Sequence, residues 1–125
     1  MHLQRWPSSS NGRSRTVACG DFVWTVATAS DSSVGFEQQV VQSLNLLDDD
    51  LRKAGSARTH IISLQVLLSD IADRPKFDRL WQEWIGPNPL HWPQRACFGA
   101  PLAPGLLVEL MAVAAASSAT LGGQT

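Results

Sequence analysis

The sequence predicts an α+β fold in which two helices pack on one face of a mixed sheet. Three observations lead there. Apolar residues alternate in some segments and recur at helical spacing in others, in the order β-β-α-β-α-β-β. Each helical segment carries one apolar stripe, so each covers one surface only. The last apolar run, Leu106 to Ala115, is apolar on both faces, the pattern of a strand buried on both sides.

The first strands are expected at residues 15–19 and 22–27. They flank Gly20-Asp21, a dipeptide suited to a tight hairpin turn. Ser30 to Ser33 is a polar loop. Residues 36–54 then place Phe36, Val40, Leu44, Leu47, Leu51 and Ala54 on one helical face. Gln38, Gln39, Gln42, Asp48, Asp49 and Arg52 fall largely elsewhere, and Asp48-Asp49-Asp50 reads as a solvated face. Gly55 supplies the stop, because glycine tolerates the left-handed conformation there.

His60 to Leu68 reads as a strand, with Ile62, Leu64, Val66 and Leu68 on one face. A second helix starts near Pro75, a residue suited to a first turn, and Phe77, Leu80, Trp81, Trp84 and Ile85 form its stripe. Gly86-Pro87-Asn88-Pro89 ends it. Strands are expected over 92–100 and 106–115, joined by a turn at Pro101–Gly105. Residues 1–14 read as a flexible N-terminal segment, 15–116 as one domain and 117–125 as a flexible tail. A sheet with helices on one face leaves its other face apolar and uncovered, so a second subunit is expected there.

Composition narrows the function. The chain has 125 residues, 44% of them apolar and 17% charged, which is enough for one core. Ten basic against eleven acidic residues give a formal charge of −1, which argues against nucleic acid as a partner. No apolar run approaches a membrane span, the start lacks the apolar core of a signal peptide, and a cytoplasmic location is expected. Cys19 and Cys97 lie far apart without metal-ligand partners and are expected as free thiols. The three histidines show no metal spacing, so no metal is expected.

One charge stands out. From Ala96 to Thr125 the only normally charged side chain is Glu109, set in Leu106-Leu107-Val108-Glu109-Leu110-Met111. A carboxylate there must be paired, hydrogen-bonded or protonated. The nearest preceding charge is Arg95. If the two last strands pair through the Pro101–Gly105 turn, Arg95 and Glu109 come close together. That pair is either a structural ion pair fixing strand register or a carboxylate-binding arginine beside a water-activating glutamate. Cys97, on the same strand face as Arg95, is read as pocket lining, and Trp92 as a wall beside Arg95.

Trp92-Pro93-Gln94-Arg95-Ala96-Cys97, then Leu102, then Val108-Glu109-Leu110-Met111-Ala112-Val113-Ala114 resembles the Rid family. These are the reactive-intermediate (enamine/imine) deaminases, also called YjgF-type proteins. The resemblance spans roughly residues 13–116. It implies a chorismate-mutase-like fold, a homotrimer built around a central barrel, and ligand clefts between subunits. It also implies cofactor-independent hydrolysis of 2-imino or 2-enamino acids to 2-oxo acids and ammonia. Arg95 would then bind the substrate carboxylate and Glu109 would position the attacking water. Cys97, Ala27, Thr28 and Trp92 would line the cleft.

The chain departs from that family in three places. Val26-Ala27-Thr28 stands where members commonly carry Ser-Gly-Gln, and replacing Gly by Ala adds a methyl group. The chain has no tyrosine, and Arg13 lies near the position of a cleft tyrosine. Asp78 stands where many members have Asn. The altered Val26-Ala27-Thr28 segment points to a different or larger substrate. It also motivates the alternative of a non-catalytic trimer that binds small carboxylic acids or partner proteins. A ribonuclease activity, described for some members, is disfavoured by the charge of −1.

Overall fold

A computed structural model describes residues 2–117 of the chain. One sheet contains β1 (Leu3–Pro7), β2 (Ser14–Cys19), β3 (Phe22–Thr28), β4 (Ile61–Leu68), β5 (Gln94–Gly99) and β6 (Val108–Ala115). Helix α1 (Phe36–Lys53) joins β3 to β4, and α2 (Arg74–Ile85) joins β4 to β5. The spatial order is β1-β2-β3-β6-β4-β5. All neighbours are antiparallel except β4 and β5, whose parallel pairing requires the crossover that α2 supplies. The α+β class and the mixed sheet agree with the expectation.

Both helices cover the same sheet face. Leu44, Leu47 and Leu51 of α1 and Phe77, Trp81 and Ile85 of α2 are buried there against Leu64, Val66, Leu68, Val108 and Leu110. Helix α1 ends as the sequence suggests. Gly55 has φ 84°, and the Ser56 N–H donates to the Leu51 carbonyl at 2.8 Å, closing the last turn. Among the described residues, no helix covers the opposite sheet face. It leaves Phe22, Trp24 and Val26 of β3 exposed, with Phe22 and Trp24 ring centroids 6.2 Å apart.

Several expectations change. Residues 3–7, placed in a flexible segment, pair with β2 as an edge strand. Apart from Ser117, the expected C-terminal tail lies outside the described residues. His60 closes a short 3₁₀ turn, and Trp92 precedes β5 rather than starting it. Ile62 is exposed while Ile61 is buried, because the β4–β6 register shifts between Ile61 and Ser63. That one-residue irregularity flips the strand's first side chains.

The larger change concerns the last two strands. They do not form a hairpin, because β4 lies between them. The physical reason is that β6, apolar on both faces, takes an interior place between β3 and β4, where both faces are best shielded. Residues 100–107 therefore step across the end of β4. The Ala100 N–H donates to Leu68 O at 2.9 Å, and the Ser69 N–H to Leu107 O at 3.1 Å.

Helix α1 also has a buried polar flank. Gln39, Ser43 and Asp50 sit three or four residues from apolar stripe positions, so they turn inward with it. Gln39 is fully buried. Its amide donates to Val34 O (3.1 Å) and Gly105 O (2.9 Å), and its carbonyl accepts from Leu107 N–H (2.9 Å). One side chain thus ties the loop before α1 to the segment that delivers β6. The approach is close: a Cβ on Gly105, whose φ is 83°, would lie 3.1 Å from Ser32 Cβ.

Asp50, expected on a solvated face, is 5% exposed and accepts from Thr25 Oγ1 at 3.2 Å, while Thr25 and Thr16 share a 2.7 Å hydroxyl contact. Burial pushes the Asp50 carboxyl above its usual range, against the pull of Arg15 and the Thr25 hydrogen bond.

Two stability predictions result. Gln39→Ala strands buried backbone groups and should cost about 2–3 kcal/mol in denaturant unfolding, with faster amide exchange at Leu107. An Asp50 pKa raised by folding contributes stability below the usual carboxylate range, and that contribution is lost as pH rises through the folded pKa. Asp50→Asn should therefore raise the Tm at pH 7 relative to wild type, and the gain should shrink as the pH is lowered.

Candidate active site

β4 decides how the site residues are placed. Arg95 pairs with Leu64 on one side of β4, and Glu109 pairs with Leu67 on the other. An odd offset along a strand means opposite sheet faces. Arg95 therefore points to the helix side and Glu109 to the open side. The expected Arg95–Glu109 contact within one chain does not form, and five of the six sequence-predicted site residues divide into two groups.

The first group surrounds Arg95, whose side chain is 17% exposed. Its Nη2 donates to Asp78 Oδ1 at 2.5 Å, and its guanidinium lies 5.4 Å from the centroid of the Phe77 ring. The second Asp78 oxygen lies 3.7 Å from Arg74 Nε, one turn earlier on α2. Asp78 thus sits between two arginines. It holds one edge of the Arg95 guanidinium, while the remaining N–H groups stay available to a ligand.

Cys97 follows two residues along β5, a free thiol beside Val66. Burial pushes its pKa up, and the cations Arg95 and Arg74 only partly offset this. Trp92 lies at the approach to β5, and its indole N–H donates to Gly86 O at 2.8 Å. A cavity of about 670 Å³ opens between α2 and this approach, lined by Arg95, Asp78, Trp81, Ile85, Pro87 and Trp92 among others.

The second group surrounds Glu109. Thr28 of β3 is its direct cross-strand partner. Both open onto a cavity of about 320 Å³ that Arg13, Arg15, Val26 and Leu106 also line. Glu109 is half-buried and has no ion-pair partner among the described residues. Its setting is thus a cavity wall on the open face, not the interior of the protomer.

Ala27 belongs to neither group. It is fully buried on the helix face, paired with Leu110, so its methyl fills core space instead of lining a cleft. Arg74, Phe77 and Trp81 also belong to the Arg95 surroundings, although sequence reasoning does not single them out as site residues. Their one-turn spacings, Arg74 to Asp78 and Phe77 to Trp81, are the available signal. Among the described residues, no group of His, Cys, Asp or Glu is placed to hold a metal ion.

Comparison with known proteins adds the lineage. A family model described as Endoribonuclease L-PSP matches residues 7–116. The chain belongs to this YjgF/Rid family. A RutC family protein of Haemophilus ducreyi is 36% identical over 87 residues, covering 69% of this chain and 73% of that protein. A crystal structure of a Pseudomonas aeruginosa protein superposes with a TM-score of 0.84 at 30% identity, covering 93% of this chain and 100% of the other. A YjgF-family member from Neisseria meningitidis, 21% identical, shares the fold at a TM-score of 0.82, with 93% and 96% of the two chains covered. No helix among the described residues of this YjgF/Rid chain is long and apolar enough to cross a membrane.

The raised Cys97 pKa makes the thiol a weak nucleophile at neutral pH. In a Cys19→Ser background, iodoacetamide should label Cys97 slowly at pH 7, with the rate still rising above the ordinary thiol range. A rate already level at pH 7 would contradict the buried-thiol account.

Proposed function

We propose that the chain acts in the cytoplasm as a homotrimeric, cofactor-independent enamine/imine deaminase that converts 2-imino or 2-enamino acids to 2-oxo acids and ammonia. The observation that carries this reading is the separation of Arg95 and Glu109. Each sits in its own half-site, on opposite faces of one sheet. A cleft between neighbouring protomers joins the Arg95 half of one to the Glu109 half of the next. The exposed Phe22, Trp24 and Val26 of the open face supply an apolar surface for that assembly.

The chemistry needs few groups. The free N–H groups of Arg95 hold the substrate carboxylate, and Asp78 and Phe77 fix the guanidinium plane. Glu109 orients a water and accepts its proton as the oxygen bonds to the imine carbon. The C=N bond becomes a C–N single bond, and the nitrogen takes up a proton. The resulting carbinolamine gives up its hydroxyl proton through Glu109 to the nitrogen, and as C=O forms the C–N bond breaks and ammonia leaves. The imine carbon is already electrophilic, so orientation and proton transfer suffice.

The test generates 2-imino acids with an amino-acid oxidase and follows semicarbazide trapping against 2-oxo acid release. Wild type should compete with trapping. Arg95→Ala should lose about 100-fold or more in rate while sedimentation shows the same assembly. Wild type that accelerates no imine or enamine, yet is thermally stabilised by small carboxylates, would replace the enzyme with a binding protein.

A further inference from the structure

The cavity beside Arg95 is larger and more specifically shaped than carboxylate binding requires. About 670 Å³ is ample for a ligand of amino-acid size. Its walls are mainly apolar and include two indoles. Trp81 is held within α2, with its ring 6.4 Å from Phe77 and 5.4 Å from Trp84. Trp92 is 54% exposed, yet the 2.8 Å bond from its indole N–H to Gly86 O fixes its ring. A wall held by its own hydrogen bond loses little freedom when a ligand packs on it.

The charges are also placed unevenly. Among the described residues, Arg95, hydrogen-bonded to Asp78, is the one cationic residue on the lining, and Glu83 lies on that lining with them. An acidic side chain entering this cavity would find no cation on the described lining besides Arg95, which the substrate's own carboxylate already occupies, while a flat apolar one would meet Trp81, Ile85, Pro87 and Trp92.

We propose that this cavity is the side-chain subsite of the enzyme and selects 2-imino acids with aromatic side chains over small and acidic ones. The proposal rests on Arg95 as the carboxylate-binding group. From that anchor, the carboxylate and imine carbon stay at the Arg95 end while the ring enters between Trp92 and α2. The indole of Trp92 is the specificity-determining group, and Glu83 is the element that rejects a second acid.

Product analogues test this by binding alone, without turnover. Phenylpyruvate, pyruvate and 2-oxoglutarate are titrated calorimetrically into the intact wild-type protein and into Trp92→Ala, Trp92→Phe, Glu83→Gln and Arg95→Ala. Wild type should bind phenylpyruvate about tenfold or more tighter than pyruvate, with 2-oxoglutarate weakest. Trp92→Ala should bring phenylpyruvate to within about threefold of pyruvate. Trp92→Phe, which keeps a ring, should retain part of the preference if the alanine variant fails to fold. Glu83→Gln should strengthen 2-oxoglutarate binding selectively.

Equal wild-type affinity for the three acids, or an aromatic preference untouched by either Trp92 variant, would overturn the subsite. Tight binding that survives Arg95→Ala would instead overturn the anchor on which the proposed function depends. The two failures are thus distinguishable.

Discussion

The pairing of β4 with β5 on one side and β6 on the other governs the arrangement of everything that bears chemistry. It gives the helix-lined face a continuous core through Leu64, Val66 and Leu110. It also sends Arg95 and Glu109 in opposite directions, because Leu64 and Leu67 differ by an odd number of residues. The loop from β5 to β6 could have closed a hairpin, but β6 gains more from an interior place with strands on both sides. A protomer built this way holds two separate half-sites and one uncovered apolar face, and both features lead to the proposed assembly.

Two polar side chains then place the chemistry on that frame. Gln39 binds the segment before β6, which sets where Glu109 begins to project. Asp78 binds Arg95, with the Phe77 ring 5.4 Å from the guanidinium and Arg74 beside the second oxygen. The partial exposure of Arg95 and Asp78, 17% and 32%, means that their attraction is screened and adds little to stability. Its consequence is positional. A guanidinium held on one edge presents its other N–H groups in a set direction, and two arginines around one aspartate leave the cluster net cationic. In the proposed enzyme that combination keeps the attraction for a carboxylate while fixing where the acid sits.

Local periodicity makes much of this fold legible in the sequence. The stripes Phe36-Val40-Leu44-Leu47-Leu51 and Phe77-Trp81-Ile85, the stop at Gly55 and the Gly20-Asp21 hairpin all depend on neighbours in sequence. The resemblance carried by Trp92 to Cys97 and Val108 to Ala114 points to the family that the comparisons show. Strand order is not legible, because it is a contest between distant segments. The flip at Ile61 and Ile62 depends on a register shift against β6, and the burial of Gln39 on loops far away in sequence. Ala27 departs from its expected place for a simpler reason: a resemblance assigns a segment to a cleft, while strand alternation decides which side chains face it.

The shared cleft is the centre of the account, and subunit mixing tests it most directly. Arg95→Ala and Glu109→Gln proteins, each inactive alone, are unfolded together, refolded and assayed for imine hydrolysis. If each cleft takes its arginine from one protomer and its glutamate from the next, random mixing restores about a quarter of the clefts and of the wild-type rate. If both groups serve the same chain's site, the mixture stays as inactive as its components, and the shared cleft is wrong.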